Sequence, residues 1–305
     1  MKYADRNQNR WEDSTSQDKL LKGLYNNIFG RILIKILINP IFSKIGGAFL
    51  STPLSKPMIS SFVKKHNIDL DKCTTKRFSC YNNFFTRQLK DEYLNIDMSE
   101  DAFISPCDSK LYVSPITKTG LFHIKNTDYT LDTLLKNTSL ADEFIGGNAF
   151  IFRLTVDDYH RYCYPDNGIK SDNIKIKGVL HTVNPIANDI YPIYKENSRE
   201  YCTIETENFG KIIIMEVGAL MVGKINNHHG AGKVLKGTEK GMFEFGGSTI
   251  IVLTQKDTVI IDNDISNNSV DGYETIVSIG ERIAIKKALY WAFFIAILFL
   301  YFSTD

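Results

Sequence analysis

Phe245-Gly246-Gly247-Ser248-Thr249 places a hydroxyl directly after two glycines. That order permits a chain to cut itself. The Ser248 hydroxyl can attack the carbonyl of Gly247, turning the amide into an ester by an N-to-O acyl shift. β-Elimination then releases the upstream chain and leaves dehydroalanine, which hydrolyses to a pyruvoyl group capping the new end. Glycine suits the attacked position because it leaves the carbonyl uncrowded and reaches strained backbone angles. The hydroxyl must follow that carbonyl immediately, and it needs a base to activate it. Taken alone, Gly-Gly-Ser-Thr more often marks a tight turn between strands, and β-like runs do flank it at residues 241–245 and 250–254.

The reaction requires a base and a group to orient it. Asp157-Asp158-Tyr159-His160-Arg161 follows a β-like run at residues 150–156, which makes His160 a candidate general base. A buried structural histidine is the commoner case. Ser105-Pro106-Cys107-Asp108 puts an acid after a proline-set turn. Asp108 could orient an imidazole as the carboxylate does in a Ser-His-Asp arrangement, although turn aspartates more often bond local backbone. His228-His229-Gly230 reads as a loop with no carboxylate beside it in sequence, a poor metal site, and His181 reads as a packing residue. No metal is expected. The cysteines (Cys73, Cys80, Cys107, Cys163 and Cys202) are odd in number without a Cys-x-x-Cys, which disfavours a disulfide framework and favours a reducing compartment.

The surrounding elements set where such a site would sit. With 305 residues the chain can bury a substantial core, and 36 basic against 35 acidic residues gives no global argument for nucleic acid. Residues 1–18 are polar and read as a mobile arm. Residues 19–100 read as a helical, membrane-associating region: apolar residues recur at helical spacing from Leu20 to Leu37, interrupted by Lys22, Arg31 and Lys35. Pro40 is expected to end or kink that helix, with short helices at residues 59–65 and 78–89. Residues 101–282 carry many short β-like runs, including residues 111–113, 121–124, 149–154, 174–180, 201–204, 211–217 and 259–261, plus one short helix in residues 128–137. This predicts an α+β chain with a β-rich antiparallel sandwich or barrel-like core. Residues 283–305 predict an apolar C-terminal helix: residues 288–302 carry no charge, Lys286 and Lys287 could snorkel, and Tyr290, Trp291 and Tyr301 flank the run. A membrane anchor, spanning or half-inserted with its basic flank on the cytoplasmic side, fits this segment.

Several separated motifs, in order, together resemble the phosphatidylserine decarboxylases, pyruvoyl enzymes, in their bacterial membrane-associated form. They are Asn83-Phe84-Phe85-Thr86-Arg87, Ser105-Pro106-Cys107-Asp108, Asp158-Tyr159-His160-Arg161, Val217-Gly218-Ala219 with Val222-Gly223, and Phe245-Gly246-Gly247-Ser248-Thr249. The resemblance covers roughly residues 20–280, and the ordered set is far more specific than any one member. It implies a proenzyme cut between Gly247 and Ser248 into a β chain, residues 1–247, and an α chain, residues 248–305. The pyruvoyl cofactor would derive from Ser248. A Ser-His-Asp relay is implied for the cleavage, which carries over Ser248 and Asp108. Many relatives read His-Arg-x-His after the tyrosine, but Cys163 stands at the second histidine here. His160 is therefore taken as the relay base, with Cys163 as the possible substitute.

The same resemblance implies the reaction. The amine of phosphatidylserine forms a Schiff base with the pyruvoyl carbonyl, carbon dioxide leaves, and phosphatidylethanolamine is released. A homodimer at the cytoplasmic face of the cell membrane is implied. Phe84, Phe85 and Arg87 are candidates for lipid contact, with core packing the alternative. Two rivals stand beside this reading: a non-catalytic lipid-binding homologue, for which Cys163 is the best support, and a pyruvoyl decarboxylase for a different serine lipid. A conventional serine hydrolase is disfavoured, since Ser248 lacks a Gly-x-Ser-x-Gly elbow.

Overall fold

The computed structural model describes residues 1–13, 27, 30, 39–124, 127–181, 193–219, 224–244 and 248–287. Two runs of branched apolar residues form its centre. Lys211–Val217 and Ser248–Thr254 pair antiparallel, with Val217 opposite Thr249. Every residue of Ser248–Thr254 is buried, as expected of a strand covered on both faces. Asn148–Leu154 pairs on its other side and Ser109–Pro115 lies beyond. The sheet continues through Arg199–Thr206 on one flank and Glu274–Val277 on the other, to 11 strands among the described residues. Smaller sheets join Ile225–Asn227, Glu239–Phe243 and Arg161–Cys163, and Val259–Ile261, Arg282–Lys286 and Ala102–Ile104. Phe103, Phe150, Phe152 and Phe209 fill the core between them.

The chain is α+β and mostly sheet, as the short alternating runs predict. The barrel-like alternative is corrected: the large sheet is open, ending at Gly232–Val234 and Arg10–Glu12. The expected mobile arm is also corrected over residues 1–13. Lys2–Ala4 and Arg10–Glu12 form a hairpin, and Lys2–Ala4 joins Glu274–Val277 in parallel. Arg6 at its tip contacts Asp262, Asp264 and Glu281. A single cation meeting three carboxylates that are distant in sequence is what orders a segment whose composition looks unstructured.

Pro40 begins a helix; most of the stretch that it was expected to end or kink lies outside the described residues. Asn39 caps Pro40–Leu50, its side chain accepting the Ile41 N–H at 3.0 Å, and proline is tolerated at a first turn where no N–H is needed. Pro57–His66 follows. Only Tyr81–Phe85 of the expected helix at 78–89 is helical, and the expected helix within 128–137 is Leu131–Leu135. The strand expected at 174–180 stops at Ile176. Leu50, Ile59, Phe78, Tyr81, Phe84 and Phe85 make a second apolar cluster under these helices. Their outer side leaves Ile41, Phe42, Ile45, Phe49, Leu54 and Met58 exposed.

The start of the C-terminal segment needs correction too. Residues 283–286 lie in the strand Arg282–Lys286, so the β-rich core extends beyond residue 282. Residues 288–305, most of the amphipathic stretch at 19–38, and Val222-Gly223 lie outside the described residues. Among the described residues no helix is long and apolar enough to cross a membrane.

Candidate active site

Ser248 opens its strand opposite Leu154, the last residue of Asn148–Leu154. From Leu154 the chain turns at once, the Asp158 N–H donating to the Thr155 carbonyl at 3.0 Å, and arrives at His160. The His160 carbonyl accepts the Phe243 N–H at 2.9 Å. Phe243 ends the strand Glu239–Phe243, which feeds the Gly247–Ser248 junction. His160 is thus tied through its backbone to the strand entering the junction and follows closely on the strand opposite Ser248. Phe245, Gly246 and Gly247 lie outside the described residues.

The Ser248 side chain is buried, and its Oγ has no hydrogen-bond partner among the described residues. Buried hydroxyls ordinarily find a partner, so an orphan here calls for a chemical reason. His160 is fully buried, and its ring stacks on Phe85 at 4.0 Å between centroids. Its Nε2 lies 3.1 Å from the Thr155 carbonyl oxygen. A carbonyl can only accept, so Nε2 carries the hydrogen and Nδ1 carries the free lone pair. Nδ1 is itself buried without a partner among the described residues. Burial, reinforced by the positive charge of Arg87, pulls the His160 imidazole down to about 3. The ring is therefore uncharged at neutral pH.

Asp108 sits in the loop between Ala102–Ile104 and Ser109–Pro115, its Oδ1 accepting the Ile279 N–H at 2.8 Å. Burial pushes its carboxyl up to about 6, and the charge of Asp158 adds to the rise. Lys110 binds Asp158 at 2.7 Å. Lys110 and Arg87 act electrostatically on both Asp108 and His160, so the two acid–base groups share one charged neighbourhood. No hydrogen bond joins Asp108 directly to His160 among the described residues. Cys163 packs on the Asp108 loop instead: its N–H donates to the Pro106 carbonyl at 2.8 Å, and its Sγ lies 4.0 Å from the Ser105 carbonyl. Burial drives this thiol up to about 12, with the charge of Asp108 acting the same way. Such a thiol keeps its proton and is a poor base.

A relay through Asp108 would make cleavage depend on pH. A carboxyl raised to about 6 is roughly one-tenth ionised at pH 5 and almost fully ionised at pH 8, while His160 stays neutral over that range. If the relay needs the carboxylate, the first-order rate of chain cleavage rises about tenfold from pH 5 to pH 8. Asp108→Asn flattens the profile at a lower rate. A wild-type profile flat across pH 6 would remove Asp108 from the relay.

A buried polar network beside the candidate site was not legible in the sequence. Glu216 and Lys240 form a fully buried ion pair at 2.8 Å. Asn227 donates to Glu200 and to Glu216, each at 3.0 Å, and accepts from Lys240 at 2.7 Å and from Tyr162 at 3.2 Å. This network fixes the strand leading into the junction against the main sheet. Gly241 lies within it, because a Cβ there would meet the Asn226 carbonyl at 2.4 Å and the Tyr162 hydroxyl at 2.8 Å. The His pair does have a carboxylate in space, His228 Nε2 lying 2.7 Å from Glu239, while His229 contacts the Tyr164 hydroxyl. His181 is buried, as a packing residue should be.

Comparison with known proteins now bears on the geometry. The family model described as phosphatidylserine decarboxylase matches residues 81–285. A phosphatidylserine decarboxylase proenzyme 2 of Clostridium acetobutylicum is 44% identical over 265 residues, 86% of this chain and 90% of that one. A phosphatidylserine decarboxylase proenzyme of Clostridium botulinum is 40% identical over 294 residues, 94% of this chain and 100% of that one. One of Clostridium kluyveri is 40% identical over 293 residues, 94% of this chain and 99% of that one.

Proposed function

The chain belongs to the phosphatidylserine decarboxylase family, and from that premise we infer that it is a proenzyme that cuts itself between Gly247 and Ser248. The mature protein is a carboxy-lyase that converts phosphatidylserine to phosphatidylethanolamine and carbon dioxide. One observation carries the cleavage site: Ser248 Oγ, which can donate, and His160 Nδ1, which can accept, are both buried with no partner among the described residues, and Ser248 lies opposite the end of the strand from which the chain runs on to His160. Complementary orphans of this kind are costly to fold and are expected where a reaction uses them.

The chain's own residues supply the first steps. His160 Nδ1 takes the Ser248 hydroxyl proton as Oγ attacks the Gly247 carbonyl, and Asp108, ionised, supports the positive charge that forms. The amide nitrogen leaves and is reprotonated, giving an ester. Loss of the Ser248 α-proton then expels the Gly247 carboxylate, and water replaces the nitrogen of the dehydroalanine with release of ammonia. A buried, unpartnered serine at the head of a central strand fits the pyruvoyl group that results. That group supplies a carbonyl that accepts the substrate amine and takes up the electron pair left by carbon dioxide. His160 faces little competition for its lone pair, and a proton held there is readily passed to the substrate carbon. Phe85 covers one face of the ring and keeps water from it.

The test is the mass of the purified protein under denaturing conditions, alongside release of carbon dioxide from phosphatidylserine. Two chains, one ending at Gly247 and one beginning with a blocked, hydrazine-reactive residue at 248, support the assignment. A cut at any other bond in a protein that still decarboxylates would sink Ser248 as its source.

Membrane attachment at the cytoplasmic face belongs to the same proposal. A lipid substrate keeps its acyl chains in the bilayer, and Ile41, Phe42, Ile45, Phe49, Leu54 and Met58 form an exposed apolar side on the helices next to Tyr81–Phe85. Lys44 and Lys56 are exposed among them, suited to anionic lipid. Ile45→Glu with Phe49→Glu is expected to lower binding to phosphatidylserine vesicles by about tenfold or more in a sedimentation assay. Unchanged binding would place the membrane contact elsewhere.

A further inference from the structure

We propose that Arg87 is the residue that recognises the phosphodiester of the lipid headgroup, through a guanidinium nitrogen left free beside His160. This rests on the phosphatidylserine reading and names a specificity group within the same site. Arg87 is 6% exposed, yet its Nη1 has no hydrogen-bond partner among the described residues. A buried guanidinium is expected to satisfy its donors, because desolvating a charge is costly. Here burial depresses its affinity for a proton, and among the described residues no carboxylate forms an ion pair with it.

The other terminal nitrogen and the guanidinium face are held, which fixes where the free nitrogen lies. Nη2 donates to the carbonyls of Asp157 and Asp158 at 3.2 and 3.3 Å, in the turn that delivers His160. The guanidinium lies over the Phe84 ring at 5.3 Å, and the neighbouring Phe85 stacks on His160. Arg161 returns the contact, its Nε donating to the Thr86 and Arg87 carbonyls at 3.0 and 3.3 Å. Residues 85–87 and 157–161 are thus locked together as one wall around His160. A cation held in that wall with one donor arm unused is prepared for an anion that arrives with the substrate.

Two anions arrive: the carboxylate and the phosphodiester. The carboxylate loses its charge as carbon dioxide forms, so a guanidinium bound to it would hold the ground state more tightly than the transition state and slow the reaction. The phosphodiester keeps its charge throughout. Its binding lowers KM without opposing the chemical step. Nη1, with Nη2 held by the Asp157 and Asp158 carbonyls, can give the phosphate oxygens a charge-assisted hydrogen bond.

The test compares two substrates of equal chain length on the processed enzyme. One is phosphatidylserine in detergent micelles, and the other is an O-alkylserine, which has the same amine and carboxylate but no phosphate. The wild type is expected to favour the phosphodiester substrate by about 10- to 100-fold in kcat/KM, chiefly through KM. Arg87→Lys, which keeps the charge and loses the planar guanidinium, and Arg87→Met are expected to raise KM for phosphatidylserine by a larger factor than KM for the O-alkylserine, so that the preference for the phosphodiester substrate falls. Glycerophosphoserine should compete against the wild type more strongly than inorganic phosphate, because the site is built for the diester of the headgroup. Absence of any phosphate preference in the wild type overturns the proposal without recourse to a variant. So does an Arg87→Lys enzyme that processes normally and keeps the preference, or one that loses kcat equally on both substrates. A wild type that processes but decarboxylates no phosphatidylserine would instead refute the substrate reading beneath it.

Discussion

Ser248→Ala yields a single chain of 34.7 kDa that never acquires decarboxylase activity, a loss of at least ~10⁴-fold. Two separate losses produce this. The hydroxyl that attacks the Gly247 carbonyl is gone, and so is the atom whose elimination creates the catalytic carbonyl. The variant should fold as well as the parent. Ser248 Oγ has no hydrogen-bond partner among the described residues, so removing it leaves none of their buried groups newly unsatisfied. Its main-chain pairing with Leu154 needs no side chain. An unchanged or slightly raised melting temperature beside an uncut chain separates loss of chemistry from misfolding. Ser248→Cys sharpens the test. A thiol attacks the same carbonyl to give a thioester, and hydroxylamine should then cut the chain at residue 247. Cleavage at 247/248 in the alanine variant would show that another nucleophile makes the cut.

The central sheet was legible because its signals are local, and the candidate chemical residues were picked out by signals of the same kind. Lys211–Val217 and Ser248–Thr254 announce themselves as β-branched runs, and Ser248, His160 and Asp108 each sit in a short motif that predicts their neighbours. What escaped were contacts that only the fold brings together. The hairpin at the N-terminus draws its order from Arg6 meeting Asp262, Asp264 and Glu281, carboxylates more than 250 residues away along the chain. A polar composition cannot announce such a pairing. Only Asp5-Arg6-Asn7-Gln8-Asn9, a cluster of turn-forming residues between Tyr3 and Trp11, hinted at it. The Glu216–Lys240 pair was hidden for the same reason, since charges within strands are usually solvated. Pro40 carried a second signal that was not read. A proline that stops a helix arriving from upstream can equally well start one, and the Asn before it marks the start of Pro40–Leu50. The strand at Arg282–Lys286 read as a helix start because an apolar run following it dominated the pattern.

His160→Gln should slow cleavage by about 10²- to 10⁴-fold, whereas Cys163→Ala should leave it within a few fold of the parent. The contrast follows from the state in which each group is held. His160 has its lone pair on Nδ1, free and buried, with burial keeping the ring uncharged at neutral pH. Cys163 is held as a thiol by burial and by the nearby carboxylate of Asp108, and only a minute fraction could act as thiolate at neutral pH. Glutamine is the better probe than alanine, because deleting a fully buried ring stacked on Phe85 would open a cavity costing roughly 3 kcal/mol and confuse folding with chemistry. Burial also sets a pH limit on the fold. With His160 lowered to about 3, the unfolded chain binds the proton first as pH falls below about 6.5, so that contribution to stability is present above 6.5 and erodes towards pH 3. The His160→Gln protein should lose part of that acid sensitivity, a change that chemical denaturation at pH 7 and pH 5 can register even where cleavage is abolished. A Cys163→Ala chain that stays uncut while His160→Gln is processed normally would reverse the assignment. The base would then stand where Cys163 packs on the Asp108 loop, and the orphaned Nδ1 would be left to the decarboxylation step alone.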